Sequence, residues 1–186
     1  MRKLKLQMQI SVDGFVCGPN SEMDWLTWNW DDGLKEYVMG LTAPVDTIVI
    51  GRKLAEGFIP HWTKAITNPE TNDIFARKMV DTPKVVFSNT LHQAPWDNTT
   101  VVGGDIAEQI SKLKSLPGRD IITYGGAGFS SNLIEAEVID DLFLFVNPTA
   151  IGKGLPIFKG RTNLRLVETQ AFECGIVLHH YQHQTK

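Results

Sequence analysis

Two short stretches join a strand-like run to a glycine turn and a helix start, an arrangement in which bare backbone amides meet an anion. The first is Ile48-Val49-Ile50-Gly51-Arg52-Lys53, and the second is Ile122-Thr123-Tyr124-Gly125-Gly126-Ala127-Gly128-Phe129. A helix begins with unpaired N–H groups and a partial positive charge, and glycine lets the backbone approach a phosphate closely. Arg52 and Lys53 add two cations at the first junction. Neither stretch is a GxGxxG fingerprint or a Walker A loop, and a glycine after a strand also serves as an ordinary turn. A third strand end, Val85-Val86-Phe87-Ser88-Asn89, offers side chains that bond phosphate or ribose, in residue types that turns also favour.

Candidates for chemistry on an acceptor are fewer. Asp13, in Ser11-Val12-Asp13-Gly14, is the carboxylate best placed to give a proton; the same residue before Gly14 equally suits an Asx turn. Asp24, Trp25 and Trp28 lie in a tryptophan-rich stretch with Trp30. Such rings stack on flat heterocycles or pack at the rim of a core, and Asp24 also reads as a solvated loop acid. His179, His180 and His183 are close in sequence. On a strand, His179 and His183 share one face while His180 points away, and no carboxylate nearby completes a set, so no metal site is expected.

The elements that must hold these residues follow from periodicity. Leu4, Leu6, Met8 and Ile10 alternate with polar residues, as in a half-buried strand. A helix is expected over Asp32 to Leu41, with Leu34, Val38 and Leu41 on one face. Asp46 to Ile50 reads as a buried strand, Pro69 to Val80 as a helix, and Lys84 to Ser88 and Thr99 to Val102 as strands. Gly103-Gly104-Asp105 caps a helix bearing Ile106, Ile110 and Leu113 as a stripe. Ile121 to Tyr124 is a strand, Phe129 to Glu137 a helix and Asp141 to Val146 a strand. Leu164 to Phe172 and Ile176 to Tyr181 form a hairpin around Glu173-Cys174-Gly175. Alternating strands and helices followed by consecutive strands predict an α/β fold. Its sheet is mostly parallel, with helices on both faces and an antiparallel C-terminal hairpin.

Bulk composition narrows the function classes. The 186 residues suit one domain over 1–186, and 42% hydrophobic with 21% charged residues suits a packed core. The net charge of −3 gives no basic surplus for general nucleic-acid binding. No apolar run approaches a bilayer span, and the first residues alternate charge and apolarity, unlike a signal peptide. Cys17 and Cys174 form no CxxC pair, which fits a reducing cytoplasm.

Taken in order, Ser11-Val12-Asp13-Gly14 with Gly18-Pro19, Gly51-Arg52-Lys53, Lys84 to Ser88, Tyr124-Gly125-Gly126, Asn147-Pro148 and Gly152 to Phe158 resemble one superfamily. It is the dihydrofolate reductase-like superfamily, in its branch of C-terminal reductase domains from the bifunctional riboflavin-biosynthesis deaminase/reductase and their stand-alone relatives. The resemblance runs from Lys3 to about Tyr181. It implies a three-layer fold and NADPH across the carboxyl ends of the central strands. Gly51, Arg52 and Lys53 would meet the cofactor phosphates, and Ser88 and Asn89 the adenosine 2′-phosphate. Gly125, Gly126, Ala127 and Gly128 would hold the pyrophosphate, through a strained and often cis peptide at the paired glycines. The activity implied is hydride transfer to a small heterocycle in a homodimeric enzyme. A non-catalytic nucleotide-binding protein and a flavin- or quinone-type NADPH oxidoreductase are the alternatives. Tyr124 stands where riboflavin reductase domains commonly carry Glu. For the acid by which dihydrofolate reductases hold a pterin, the first helix offers only Glu36.

Overall fold

The computed structural model describes residues 1–184. An eight-stranded sheet forms its middle layer. In chain order the strands of that sheet are β1 (Leu4–Ser11), β3 (Val45–Gly51), β4 (Lys84–Phe87), β5 (Thr99–Val102), β6 (Asp120–Thr123), β7 (Asp141–Asn147), β9 (Leu164–Ala171) and β10 (Val177–His183). A separate two-stranded ribbon pairs β2 (Phe15–Cys17) with β8 (Leu155–Pro156). The strand order is β5-β4-β3-β6-β1-β7-β10-β9. All neighbours are parallel except β10, which runs antiparallel to β7 and to β9. The five helices are α1 (Asp32–Thr42), α2 (Arg52–Ala65), α3 (Ile74–Asp81), α4 (Ile106–Ser115) and α5 (Ala127–Glu135). No helix among the described residues is long and apolar enough to cross a membrane.

Alternation along the strands divides the core in two. Leu4, Leu6, Met8 and Ile10 face α4 and α5 together with Val49, Ile121, Leu142 and Leu144. On the opposite face, α1 sets Leu34, Val38 and Leu41 against Phe143, Phe145 and Leu178. On that same face α2 and α3 set Ala55, Ile59 and Met79 against Ile48, Ile50, Val86 and Ile122. This is the three-layer α/β arrangement expected, with the C-terminal hairpin in its antiparallel place.

The differences from expectation have local causes. β1 is not half-buried: it lies between β6 and β7, and Gln7 is only 7% exposed. Its polar side chains meet other side chains rather than water. Lys5 reaches Asp120 at 2.8 Å, and Asn147 donates to the Gln9 carbonyl oxygen at 2.7 Å. The helix expected from Pro69 begins at Ile74, because the Asp73 carboxylate caps it by accepting from the Ala76 amide at 2.7 Å. β2 and β8 are too short to leave a periodic trace and form only by pairing with each other. α2 continues through Gly57 and Pro60, two residues that weaken a helix in isolation; its apolar side packed on the sheet sustains it.

Candidate active site

The four strands β5, β4, β3 and β6 lie side by side and end on one rim. Three of the five helices, α1, α3 and α4, are capped by Asp31, Asp73 and Asp105, each accepting from a first-turn amide. The remaining two, α2 and α5, follow Gly51 and Gly126 and have no side-chain cap. Their first-turn N–H groups are therefore free to meet an anion, and both helix dipoles favour one. The two helix starts touch. A Cβ added at Gly51 would stand 3.0 Å from the Phe129 Cβ, and one at Gly126 would stand 3.7 Å from the Leu54 Cβ. Gly126 and Gly128 are exposed, so the turn remains open to solvent.

Strain at the paired glycines takes a different form from that expected. No peptide bond among the described residues is cis; instead Gly125 and Gly126 have φ of 125° and 80°. Both lie in the left-handed region that side chains resist. A Cβ at Gly125 would also meet Met8 Cε at 3.0 Å.

The charged and polar candidates on this rim are partly engaged. Arg52 pairs with Glu56 one helical turn on, at 2.5 Å, and both side chains are well exposed, so the pair holds the guanidinium only weakly. Lys53 is exposed. Ser88 Oγ accepts from the amides of Thr90 and Leu91 at 3.1 and 2.9 Å, and Asn89 Oδ1 accepts from the Gly104 amide at 3.0 Å. These two side chains thus shape the β4 loop and clamp it to the loop after β5. Their remaining capacity toward a ligand is the Ser88 hydroxyl proton and the Asn89 amide nitrogen.

Asp13 is held from several sides. Its carboxylate accepts from the Ser11 hydroxyl at 2.7 Å, from the Gly152 amide at 2.7 Å and from the Ile151 amide at 3.1 Å. The Ser11 hydroxyl and then these backbone amides hold its pKa below the usual carboxylate value. Its work is to latch the loop after β1 to the loop after β7.

The tryptophan-rich loop is pinned above the end of β7. The Thr27 amide donates to Asn147 Oδ1 at 2.9 Å, and Trp30 Nε1 donates to the Thr27 carbonyl at 2.8 Å. Trp25 is half-buried with its Nε1 sealed from solvent and unpartnered. Trp28 is 72% exposed, and Asp24 is exposed. Glu36 is exposed on α1, away from the Leu34, Val38 and Leu41 side that packs on the sheet.

Periodicity alone misses four residues near this place. Gln7 and Gln9 read as solvent-facing strand positions, Asn147 as a turn residue and Tyr124 as the last residue of a strand. In the fold, Asn147 is fully buried and bridges Gln9 to the tryptophan loop. Tyr124 stacks on Phe58 with ring centroids 5.6 Å apart, and its hydroxyl is buried without a partner. Two open concavities of about 490 and 470 Å³ lie elsewhere, one beside Asp46 and Arg119 and one beside Arg2 and Pro117. Both are near the N-terminal ends of the strands, and neither includes the glycine turns.

Comparison with known proteins gives the chain its family and its fold. Residues 2–178 match the RibD C-terminal domain family, and the chain belongs to it. The uncharacterized protein YyaP of Bacillus subtilis (strain 168) is 32% identical over 180 residues, covering 95% of this chain and 92% of its own. Among solved structures, a putative riboflavin biosynthesis protein from Shewanella sp. PV-4 superposes with a TM-score of 0.72 at 19% identity, covering 100% of both chains. The diaminohydroxyphosphoribosylaminopyrimidine deaminase/5-amino-6-(5-phosphoribosylamino)uracil reductase of Thermotoga maritima gives 0.68 at 15%, covering 98% of this chain and 57% of its own. Dihydrofolate reductase from Enterococcus faecalis, in complex with NADP(H), gives 0.62 at 16%, covering 98% and 97%. At these identities the likeness is one of fold, and the fold is dihydrofolate reductase-like.

Proposed function

We propose that this chain is an NADPH-dependent reductase that delivers hydride to a small heterocyclic acceptor. The observation that carries the reading is the pair of uncapped helix starts, at Gly51 and Gly126, touching on the rim of neighbouring parallel strands. Two such starts side by side suit a diphosphate bridge, and the absent side chains at Gly51 and Gly126 let the starts pack this closely against Phe129 and Leu54. Membership in the RibD C-terminal domain family, and the NADP(H) complex of the Enterococcus faecalis enzyme with this fold, support the same reading.

On this reading the first turns of α2 and α5 bind phosphate through Gly51, Arg52 and Lys53 and through Gly125, Gly126, Ala127 and Gly128. Arg52, Lys53, Ser88 and Asn89 select the 2′-phosphate. The bound nicotinamide supplies the hydride. Trp25 and Trp28 border the acceptor, and Asp24 lies on the outer margin of their loop. Asp13 fixes the geometry of that margin through the Gly152 and Ile151 amides. The free cysteines Cys17 and Cys174 suit a cytoplasmic setting, and the exposed outer edge of β9 suits a second copy of the chain.

Titration with NADPH, followed by quenching of tryptophan emission and by thermal shift, tests the cofactor. Saturable NADPH binding, with NADH at least tenfold weaker, is the expected result. No saturable binding of either nucleotide overturns the reading. NADPH binding without consumption against pyrimidine, pterin, flavin and quinone acceptors favours a nucleotide-binding protein without catalysis.

A further inference from the structure

On the rim opposite the glycine turns, an open concavity of about 490 Å³ lies where β3, β4 and β6 begin. Three cations line it: Arg77 and Lys78 from α3, and Arg119 from the loop before β6. Two acids, Asp46 and Asp81, line it as well. Arg77 and Arg119 are exposed, and among the described residues neither has an ion-pair partner. Lys78 has none there either. Its Nζ donates to the Val45 carbonyl at 2.6 Å, which uses one of its three protons.

Both acids are already answered by other cations. Asp46 pairs with Arg2, whose side chain is buried. The second Asp46 oxygen accepts from the Arg119 amide at 2.7 Å, and Arg2 Nε donates to the Arg119 carbonyl at 2.7 Å. A Cβ on Gly118 would stand 2.8 Å from Asp46 Oδ2 and 3.0 Å from Arg2 Cζ, so the loop lies directly on this pair. The Arg119 backbone is thus fixed on both sides while its guanidinium is left unspent. Asp81 acts on the buried ammonium of Lys84: burial pushes that pKa down to about 8, and the Asp81 charge opposes the fall. With Asp46 set against Arg2 and Asp81 against Lys84, three positive charges stay uncompensated around one hollow. The chain as a whole has a net charge of −3. Like charges gathered on one concave wall repel each other and draw an anion between them.

We propose that this concavity binds a compact anion with two or more negative charges on phosphoryl or carboxylate oxygens. Each guanidinium presents a planar fork of N–H donors that matches a pair of such oxygens, and the Lys78 ammonium adds a point charge. The volume suits a small molecule. The site is built on the N-terminal ends of strands whose C-terminal ends carry the glycine turns, so it is separate from the cofactor cradle. It stands whether or not the reductase reading holds. Because Arg77 and Arg119 are exposed, binding is sensitive to salt.

Calorimetric titrations of pyrophosphate and of citrate at low salt test the site. They are run with saturating NADPH, which fills the glycine-turn cradle, on wild type, Arg77→Gln, Arg119→Gln and the double variant. Wild type is expected to bind at least one of the two anions saturably, one per chain. The tighter of the two shows whether the site takes phosphoryl or carboxylate oxygens. Acetate, with a single charge, binds at least tenfold more weakly. Each single variant weakens binding at least fivefold, and the double variant at least twentyfold. Arg77→Lys, which keeps the charge and loses the fork, falls between wild type and Arg77→Gln. All variants keep NADPH affinity, and without ligand they melt as wild type does, because no ion pair is removed. The site is overturned if neither anion binds saturably, if the variants bind as wild type does, or if acetate binds as tightly. It is also overturned if NADPH abolishes anion binding, since the anion then occupies the cradle. If wild type does not bind NADPH, the reductase reading falls, and the same titrations without cofactor still decide the site through its two arginines.

Discussion

Gly51 and Phe129 meet where the first turns of α2 and α5 come together: a Cβ on Gly51 would lie 3.0 Å from the Phe129 Cβ and 3.2 Å from its Cγ. The contact sets how close two uncapped helix starts stand, so it sets the width of the anion cradle. Gly51→Ala should push the starts apart and cost about 1–3 kcal/mol by overpacking. NADPH affinity should fall by more than tenfold. Gly57→Ala, at an exposed position within α2 with open space around its Cβ, should leave NADPH affinity near wild type. Urea melts and fluorescence titrations of the pair check this, and equal NADPH affinity in Gly51→Ala would remove the cradle.

Asp13 separates a latch from a proton donor. Asp13→Asn keeps the shape of the side chain but loses the charge that draws in the Gly152 and Ile151 amides. If the residue is a latch, hydrogen exchange at those two amides should quicken, and turnover on any acceptor should fall modestly, with the same pH profile as wild type. A proton donor predicts the reverse: unchanged exchange, a hundredfold or greater loss of turnover and a displaced acid limb in the profile. The lowered pKa of Asp13, from the Ser11 hydroxyl and the loop amides, keeps the latch closed at neutral pH. It opens as pH falls through that lowered value, so amide exchange, corrected for its intrinsic pH dependence, should rise in acid.

The layers of the fold were legible because their signals are local. Ile48-Val49-Ile50 is apolar on both faces of a strand, and Ile106, Ile110 and Leu113 make one stripe of a helix; each pattern has a single packing solution. The glycine turns were legible for the same reason. What could not be read was set by contacts between distant residues. Asp13 finds its partner amide at Gly152, 139 positions away, and Asn147 finds Thr27 across 120. Gln7 carries the polar half of an alternation that ordinarily means solvent, and only the arrival of β6 and β7 on either side turns it inward.

Asp141 ties the C-terminal strand to the first one. It is buried, and its carboxylate accepts from Gln182 at 2.7 Å, His180 at 2.8 Å and Lys3 at 3.2 Å. Burial alone would raise its pKa; the bonds from Gln182, His180 and Lys3 outweigh burial and leave it below the ordinary value. A depressed folded-state pKa stabilises fully above the unfolded carboxyl value of about 4, and that stability is lost as pH falls through the folded value. Asp141→Asn should therefore cost about 3 kcal/mol at neutral pH, where it turns acceptors into donors facing donors. The gap to wild type should shrink below about pH 4. Urea midpoints measured from neutral to strongly acid pH check both halves, and a gap that stays constant would show the charge to be idle.

The outer edge of β9 decides whether the chain pairs with itself. All but its first residue are exposed, with Leu166 at 50% and Val167 at 43%. Long uncovered edge strands with apolar side chains invite another strand. A two-fold axis through an antiparallel pair places one residue opposite its own copy. Centring on Arg165 or Glu168 would set like charges face to face. Centring on Leu166 or Val167 sets an apolar pair on the axis and keeps Arg165 and Glu168 off it. The expected species is therefore a dimer of twice 20.8 kDa. The double substitution Leu166→Lys with Val167→Lys should convert it to a monomer without changing the far-ultraviolet circular dichroism. Light scattering across a hundredfold dilution reads the result, and a wild-type mass of one chain at the highest concentration would leave β9 an edge with no partner of its own kind.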